Sequence, residues 1–424
     1  MDLRAIVASL ADCPCGRVHD VAIDDVQIDR GLVHHVGEIL EKNNFPKQIL
    51  LVADNNTLPA SEGILPALEK CGYHYTLRMY DNLRVADMED VDSIAAQLKD
   101  FEGVLSVGSG SLNDICRLAA LKADVPFAIF ATAPSMDGFA SSTSPITVDN
   151  FKRSYPARQP SVIIADTDVL AAAPGYLKAA GFGDVIGKFT AIVDWRISNL
   201  ITDEYICDRV VSLVRDTVRK VASHADRIQQ NDPVAAGELM EALILTGIGM
   251  TFAGSTRPAS GAEHIVSHFW EIMKLANGEI SDFHGKKVGI GTVITTRIYH
   301  ELAKLESVSA APYALDWEKI EAAYGEGFME QVHIENNPAI TDRLDAKRIE
   351  DNWAQICKII EEELPSDAEL LDMMHTAGAA TTPEEADVFG QLRDDGVRYS
   401  GYMRDRFTLL RIVPMLGLED LMHV

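Results

Sequence analysis

The stretch SGAEHIVSHFWEI, residues 260–272, sets two histidines four positions apart behind a turn of small residues. Residues four apart share one helix face, so a helix here carries His264 and His268 one turn from each other. Two imidazoles so spaced can hold one metal, do separate jobs, or simply sit on a surface. The zinc-protease pattern is absent, because Ile265 and not a glutamate follows the first histidine. Two further segments carry the same chemistry. In GFGDVIGKFTAIVDW (181–195), Asp184 follows two glycines and reads either as an N-cap opening a helix or as a ligand. In SDFHGKKVGIGT (281–292), His284 stands before Gly285, where a lone histidine is ordinarily structural.

A second group of residues suits an anionic ligand. GVLSVGSGSLNDICRLAAL (103–121) runs from a strand through a glycine turn into a helix. Gly108 and Gly110 let backbone N–H groups approach a phosphate, and the helix start adds its partial positive charge. Ser111 and Asn113 can hydrogen-bond there, and Asp114 can cap or orient the turn. The turn fits a phosphate cradle better than ordinary turn chemistry, although it is not G-x-G-x-x-G. Asp54 ends KQILLVADNNT (47–57), where an acid can bind ribose hydroxyls, although taken by itself it reads as a plain loop aspartate. FATAPSMDGFASS (130–142) leaves another strand with Thr132, Ser135, Asp137 and Ser141, suited to cofactor contact and to turn chemistry alike.

The elements that must position these residues follow from periodicity. Apolar runs at 47–57, 74–79, 103–107, 125–131 and 161–166 predict strands, with a helix around 60–71. Strands alternating with helices predict a parallel sheet with right-handed crossovers. Beyond about residue 170, segments 205–221, 232–250, 289–305, 345–363 and 403–417 show helical spacing. The expected fold is thus an α/β dinucleotide-binding domain over 1–170, then an all-α domain over 171–424, with the site in the cleft between them. The junction is expected near 167–175, where Pro174 and Gly175 lie.

Composition narrows the partners. The chain of 424 residues carries 64 acids against 38 bases, a formal charge of -26, which argues against nucleic acid and anionic membranes. An anionic substrate then needs a metal, backbone amides or a few placed bases. No apolar run approaches the eighteen or so residues of a membrane span, and MDLRAIVASLADCPCG lacks the pattern of a signal peptide, so a cytoplasmic enzyme is expected. Six cysteines are too few for a disulfide framework. Cys13, Cys15 and His19 in CPCGRVHD lack the spacing and second pair of a structural zinc site, and a plain turn is expected there.

Taken in order, GSGSLND (108–114), TAPSMDGFASS (132–142), the GFGD…K…DW block, RPASGAEHIVSH (257–268) and FHGKKVGIGT resemble the iron-containing alcohol dehydrogenase and dehydroquinate synthase-like superfamily, and within it the sn-glycerol-1-phosphate dehydrogenases. The resemblance covers about 105–292 and extends toward Asp54. It implies that Asp184, His264 and His284 bind one divalent metal, Zn²⁺ or alternatively Ni²⁺ or Fe²⁺. It implies catalytic Asp137 and His268, with Asp137, Asp184 and His268 touching substrate. NAD(H), and with it NADP(H), would be held by Asp54, Gly108, Gly110, Ser111, Leu112, Asn113, Asp114, Thr132, Ala133, Pro134, Ser135 and Ser141. Lys188 stands where some relatives carry a second helix histidine. The implied reaction is reduction of dihydroxyacetone phosphate to sn-glycerol 1-phosphate. Glycerol dehydrogenase or another polyol dehydrogenase, a dehydroquinate synthase-like enzyme and a non-catalytic dinucleotide binder are the alternatives. Lys188, Arg257, His268 and the amides of Ser260–Ala262 are the expected phosphate donors. The expected assembly is a homo-oligomer, a dimer or higher.

Overall fold

The computed structural model describes residues 1–148 and 151–423. Its central element is a six-stranded sheet in the order β1-β8-β5-β4-β2-β3, every neighbour parallel. The strands are β1 (Asp25–Asp29), β2 (Gln48–Asp54), β3 (His74–Tyr80), β4 (Gly103–Gly108), β5 (Phe127–Ala131) and β8 (Val162–Asp166). The antiparallel hairpin of β6 (Thr143–Val148) and β7 (Phe151–Pro156) stands apart from the sheet. The central strands β4, β5 and β8 are buried along their whole length, as sheets covered on both faces require. Their alternate side chains serve two cores. Leu51, Leu105, Phe130 and Ile164 pack with Val36, Leu40 and Leu68. Leu50, Val52, Ile129 and Ile163 belong to one cluster with Phe182, Leu239 and Trp270 of the helical half.

Two features departed from the sequence reading. The β1 strand DVQID and the hairpin were not anticipated, because β1 is an edge strand in which only Val26 is buried and its polar residues conceal the pattern. The 125–131 run begins its strand at Phe127, since Pro126 precedes it and cannot continue a ladder.

After the glycine turn comes α1 (Gly110–Ala123). Beyond β8 the chain is mostly helical, with α2 (Gly175–Ile186), α3 (Lys188–Thr202), α4 (Asp208–Ala222), α5 (Pro233–Ala253), α6 (Ala262–Ala276) and α7 (His284–Ala303). The predicted 289–305 helix starts five residues early, at His284. The predicted 345–363 helix is split into Lys347–Asp351 and Trp353–Glu363, and 403–417 yields a shorter helix, Leu409–Met415. Among the described residues one helix, α5, is by length and composition apolar enough to cross a membrane, which corrects the expectation that no such run exists; 72% of its apolar stretch is buried within the fold. It is a core helix of the kind that is hydrophobic all round.

Glycines set how closely these helices approach the sheet loops. A Cβ on Gly181 of α2 would overlap the carbonyl oxygen of Pro134, in the loop after β5. We expect Gly181→Ala to destabilise the protein by about 1–3 kcal/mol, the range for overpacking a tight contact, read as a lower urea midpoint at constant slope. An unchanged midpoint would show that α2 and the loop can separate freely.

Candidate metal centre and active site

Asp184 lies inside α2 rather than at its start, because the helix runs straight through Gly181 and Gly183. The N-cap reading is therefore overturned, and the glycines serve packing instead. A Cβ on Gly183 would come within 2.6 Å of Gly285 O, and one on Gly285 would overlap Ala180 O. This crossing brings Asp184 beside His284, the first residue of α7. A Cβ on Gly291 of α7 would likewise meet Glu263 O of α6 at 2.6 Å, so α6 lies equally close.

The ligand atoms of Asp184, His264 and His284 lie within 4.8 Å of one another. His264 Nε2 is 3.5 Å from Asp184 Oδ1, and the His264 and His284 rings are 5.3 Å apart. His264 Nδ1 pairs with Glu263 Oε1 at 2.8 Å, which turns Nε2 toward Asp184 and His284. Glu263 is fixed in turn by Thr190 Oγ1 (2.8 Å) and Gly261 N (2.7 Å), which both donate to it. Asp194 of α3 accepts from Ala262 N at 2.6 Å and Leu409 N at 2.7 Å, and from the Tyr299 hydroxyl. It thereby satisfies an orphan donor at the start of α6, two residues before His264.

The electrostatics suit a cation. Burial would raise the Asp184 carboxyl, but Lys188 and the His264 hydrogen bond outweigh it and hold the group well below the usual range. Burial, then His284 and His264, keep His268 neutral; burial above all lowers His284 to about 3. His284 is thus kept neutral, as a metal requires, whereas at His264 burial and Lys188 are outweighed by Asp184 and Glu263, which raise the imidazole so that a metal there has to displace a proton. One carboxylate and two imidazoles make a donor set that fits a divalent transition metal or zinc. His268 stands 6.0 Å from His264, ring to ring, and stacks on His284 at 5.3 Å. It groups with Glu271 and His284, not with Asp184 and His264, so the two histidines of the opening motif have different neighbours.

Lys188 does not take the place of a ligand. Its ammonium is buried between Asp184 Oδ1 (2.5 Å) and Asp137 Oδ2 (2.8 Å). Asp137 also donates its backbone N–H to Asp184 Oδ2 at 2.9 Å, which joins the loop after β5 to the metal cluster. Burial and then Asp184 push the Asp137 carboxyl upward.

Of the expected phosphate donors, three are consumed by the fold. Lys188 is held as described. Arg257 is buried and bound by Glu204 (2.8 and 2.5 Å), Ser198 (3.1 Å) and Phe407 O (3.0 Å). The amides of Ser260, Gly261 and Ala262 donate to Thr256 O, Glu263 and Asp194. Only His268 remains. Two lysines that the sequence reading passed over lie beside it: Lys287 of α7 and Lys152 of β7 reach Glu271 of α6 at 3.6 and 2.8 Å. Burial lowers the Lys287 ammonium to about 8. The second lysine of HGKKVG, three after the metal histidine, is the signal that could have found it.

The dinucleotide side is formed by strand ends. β2 and β4 are neighbours, and the chain leaves them toward opposite edges of the sheet. Ligands of open α/β sheets sit in the crevice at such a switch point. Asp54 ends β2, with Oδ1 accepting from Asn56 N and Thr57 N at 2.8 Å each. Gly108 ends β4, and a Cβ there would meet buried Leu112 at 2.5 Å; Gly110 adopts φ +37°. Ser111 donates to Arg84 O at 3.0 Å. The Asn113 side chain faces the core and accepts from Ser106 Oγ at 2.7 Å. Asp114 is buried 4.0 Å from Arg117 and is raised by burial to about 6. In the next loop Thr132 N donates to Gly108 O, Ser109 Oγ donates to Ala133 O, and Ser109 and Ser135 hydroxyls meet at 2.6 Å. Pro134 lies against Gly181, and Ser141 donates to Thr143 O.

Residues 27–174 match the family described as iron-containing alcohol dehydrogenase. Along nearly the whole chain, the protein is 29% identical over 411 residues to a glycerol-1-phosphate dehydrogenase [NAD(P)+] of Halalkalibacterium halodurans, covering 94% of each. It is 33% identical over 274 residues to one of Methanosarcina mazei, covering 64% of this chain and 75% of that protein. The chain belongs to the glycerol-1-phosphate dehydrogenase family. The structure of the NADH-dependent butanol dehydrogenase A of Thermotoga maritima superposes with a TM-score of 0.64 at 16% identity, covering 96% of this chain and 97% of that one. The fold is therefore that of the iron-containing alcohol dehydrogenases.

Glu263 and Asp194 were not singled out from the sequence, although both lie in the quoted motifs; a carboxylate adjoining a metal histidine is the signal for the first. We expect His264→Ala and His284→Ala to lose the metal and turnover, and His268→Ala to retain metal with impaired substrate use. Glu263→Gln should weaken metal binding by about 10- to 100-fold. Elemental analysis against a chelator series checks all four, and metal retained in His264→Ala but lost in His268→Ala would reverse the assignment.

Proposed function

We propose that this chain reversibly reduces dihydroxyacetone phosphate to sn-glycerol 1-phosphate with a nicotinamide dinucleotide, and that Asp184, His264 and His284 hold its divalent metal. The observation that carries the reading is this trio, with Asp184 and His264 buried and His284 partly so, joined through Asp137 to the loop at the C-terminal end of β5. The family's name supports the substrate. When bound, the metal supplies Lewis-acid polarisation of the substrate oxygen and the nicotinamide supplies the hydride.

The chain's own residues do the rest. Glu263 orients His264, and Asp194 secures the helix start beneath it. Lys188 keeps Asp184 ionised while compensating two buried carboxylates. Asp137, raised by burial, and neutral His268 are the groups suited to exchange a proton or hydrogen bond with the substrate oxygens. Lys287, with Lys152 beyond it, is the candidate grip for the phosphate. Asp54 is the candidate partner of the adenosine ribose, with the Gly108–Gly110 turn and the start of α1 for the pyrophosphate.

One observation favours a polyol dehydrogenase instead: Glu271 already lies in ion-pair contact with both lysines, leaving less charge for an anion. Kinetics separates the two. Dihydroxyacetone phosphate should exceed dihydroxyacetone by at least a hundredfold in kcat/KM, about 2.7 kcal/mol of transition-state binding. Lys287→Met should raise KM for the phosphorylated ketone about tenfold or more and leave the other unchanged. Equal rates for the two ketones would move the assignment to a glycerol dehydrogenase.

Cofactor choice is a separate outcome. A carboxylate at the ribose repels a 2′-phosphate by about 1–3 kcal/mol, so NADH should be used about ten- to a hundredfold better than NADPH. Asp54→Asn, which can still accept from Asn56 and Thr57, should narrow that ratio in kcat/KM.

A further inference from the structure

The reduction chemistry leaves unused a cluster at the other end of the chain. The turn after the first helix, Leu3–Ser9, carries Cys13, Cys15 and His19, and Cys207 precedes the first residue of α4. Though 188 residues separate His19 from Cys207, their ligand atoms lie 3.6 Å apart. Cys13 Sγ is 3.4 Å from Cys207 Sγ, and Cys15 Sγ is 3.1 Å from His19 Nε2. All four ligand atoms fall within 4.8 Å of one another. The segment is the turn that the sequence predicts, and the fold adds to its three side chains a fourth, Cys207, that is distant in sequence.

We propose that Cys13, Cys15, His19 and Cys207 form a closed zinc site that fastens the N-terminal segment to α4 and α5. Zinc bound to three sulfurs and one imidazole, at about 2.3 and 2.0–2.1 Å, has ligand-to-ligand edges of about 3.4–3.8 Å. Three of the six edges are 3.4, 3.1 and 3.6 Å, two within that range and one short of it, and all four atoms lie within 4.8 Å of one another, so the side chains stand close to a tetrahedron of that size.

The surroundings are those of a ligand set. His19 is 4% exposed, and its Nδ1 pairs with Phe252 O of α5 at 3.0 Å, which leaves Nε2 facing the sulfurs. The Tyr205 hydroxyl donates to Cys15 Sγ at 3.2 Å. The helix start at α4 lends its partial positive charge to Cys207. Three thiolates and one Zn²⁺ leave a net charge of −1, and Arg17 lies close by, its guanidinium 3.4 Å above the Tyr205 ring and donating to Ala253 O at 2.8 Å. Binding converts three S–H groups to thiolates and releases their protons to water. A disulfide between Cys13 and Cys207 would instead leave Cys15 and His19 with no shared purpose.

The test uses the full-length protein. In His264→Ala, which removes the first metal site, one zinc per chain should remain by elemental analysis. Adding Cys207→Ser should remove it. Wild-type protein reconstituted with Co²⁺ should show thiolate-to-cobalt charge-transfer absorption, retained in His264→Ala and lost in Cys207→Ser; this spectrum decides the matter even where a cysteine variant fails to fold. A folded His264→Ala protein without zinc overturns the proposal, as does a cobalt form without sulfur absorption, or an intact mass two hydrogens light from a Cys13–Cys207 disulfide.

Discussion

Gly183 and Gly285 bring the backbones of α2 and α7 so near that a side chain on either would strike the other helix, and Asp184 and His284 sit directly on that contact. Everything at the metal centre depends on this approach. A larger residue at either place would separate the helices and with them an oxygen and a nitrogen ligand. Gly291 repeats the device against Glu263, which seats α6 and therefore His264. Glycine is costly inside a helix, roughly 0.5–1 kcal/mol against alanine. Here that cost secures a geometry that bulkier residues would forbid.

A buried charge network is built on top of the packing. Lys188 lies between Asp184 and Asp137, and a charge so buried is tolerable only because both partners are in contact with it. The same arrangement links the sheet to the helices, since Asp137 belongs to the loop after β5 and also donates its amide to Asp184. Lys188 pairs with both carboxylates and adds no ligand, so the candidate site consists of the three groups Asp184, His264 and His284. Such a site leaves coordination positions open, as metal catalysis requires.

The N-terminal cysteines show a different economy. They tie residues 13–19 to the helical half at Cys207 and Phe252. One chain thus presents an open oxygen and nitrogen set and a sulfur-rich set closed on itself, which are the two forms that catalytic and structural metal sites take.

Local pattern alone determined a good deal. The runs QILLVAD, GVLSVG, FAIFA and VIIAD are apolar along most of their length because both faces of a central parallel strand are covered, and so they read as strands without a fold. Asp184, His264 and His284, which the fold brings together, were legible as a set through the order of their motifs. What the sequence could not decide was which polar groups remained free. Arg257 and the Ser260–Ala262 amides looked available and proved to be bound by Glu204, Glu263 and Asp194, while Lys287 and Lys152, which no motif singled out, lie against Glu271 beside the site. Asp184 read as a helix start because glycines usually break helices, whereas here they are contact points between helices. Cys207 could not be assigned to Cys13, Cys15 and His19 at all. Periodicity and turn chemistry are properties of neighbours along the chain, but the partner of a buried charge or a thiol is chosen by which distant segments the core brings together, and only the tertiary structure contains that choice.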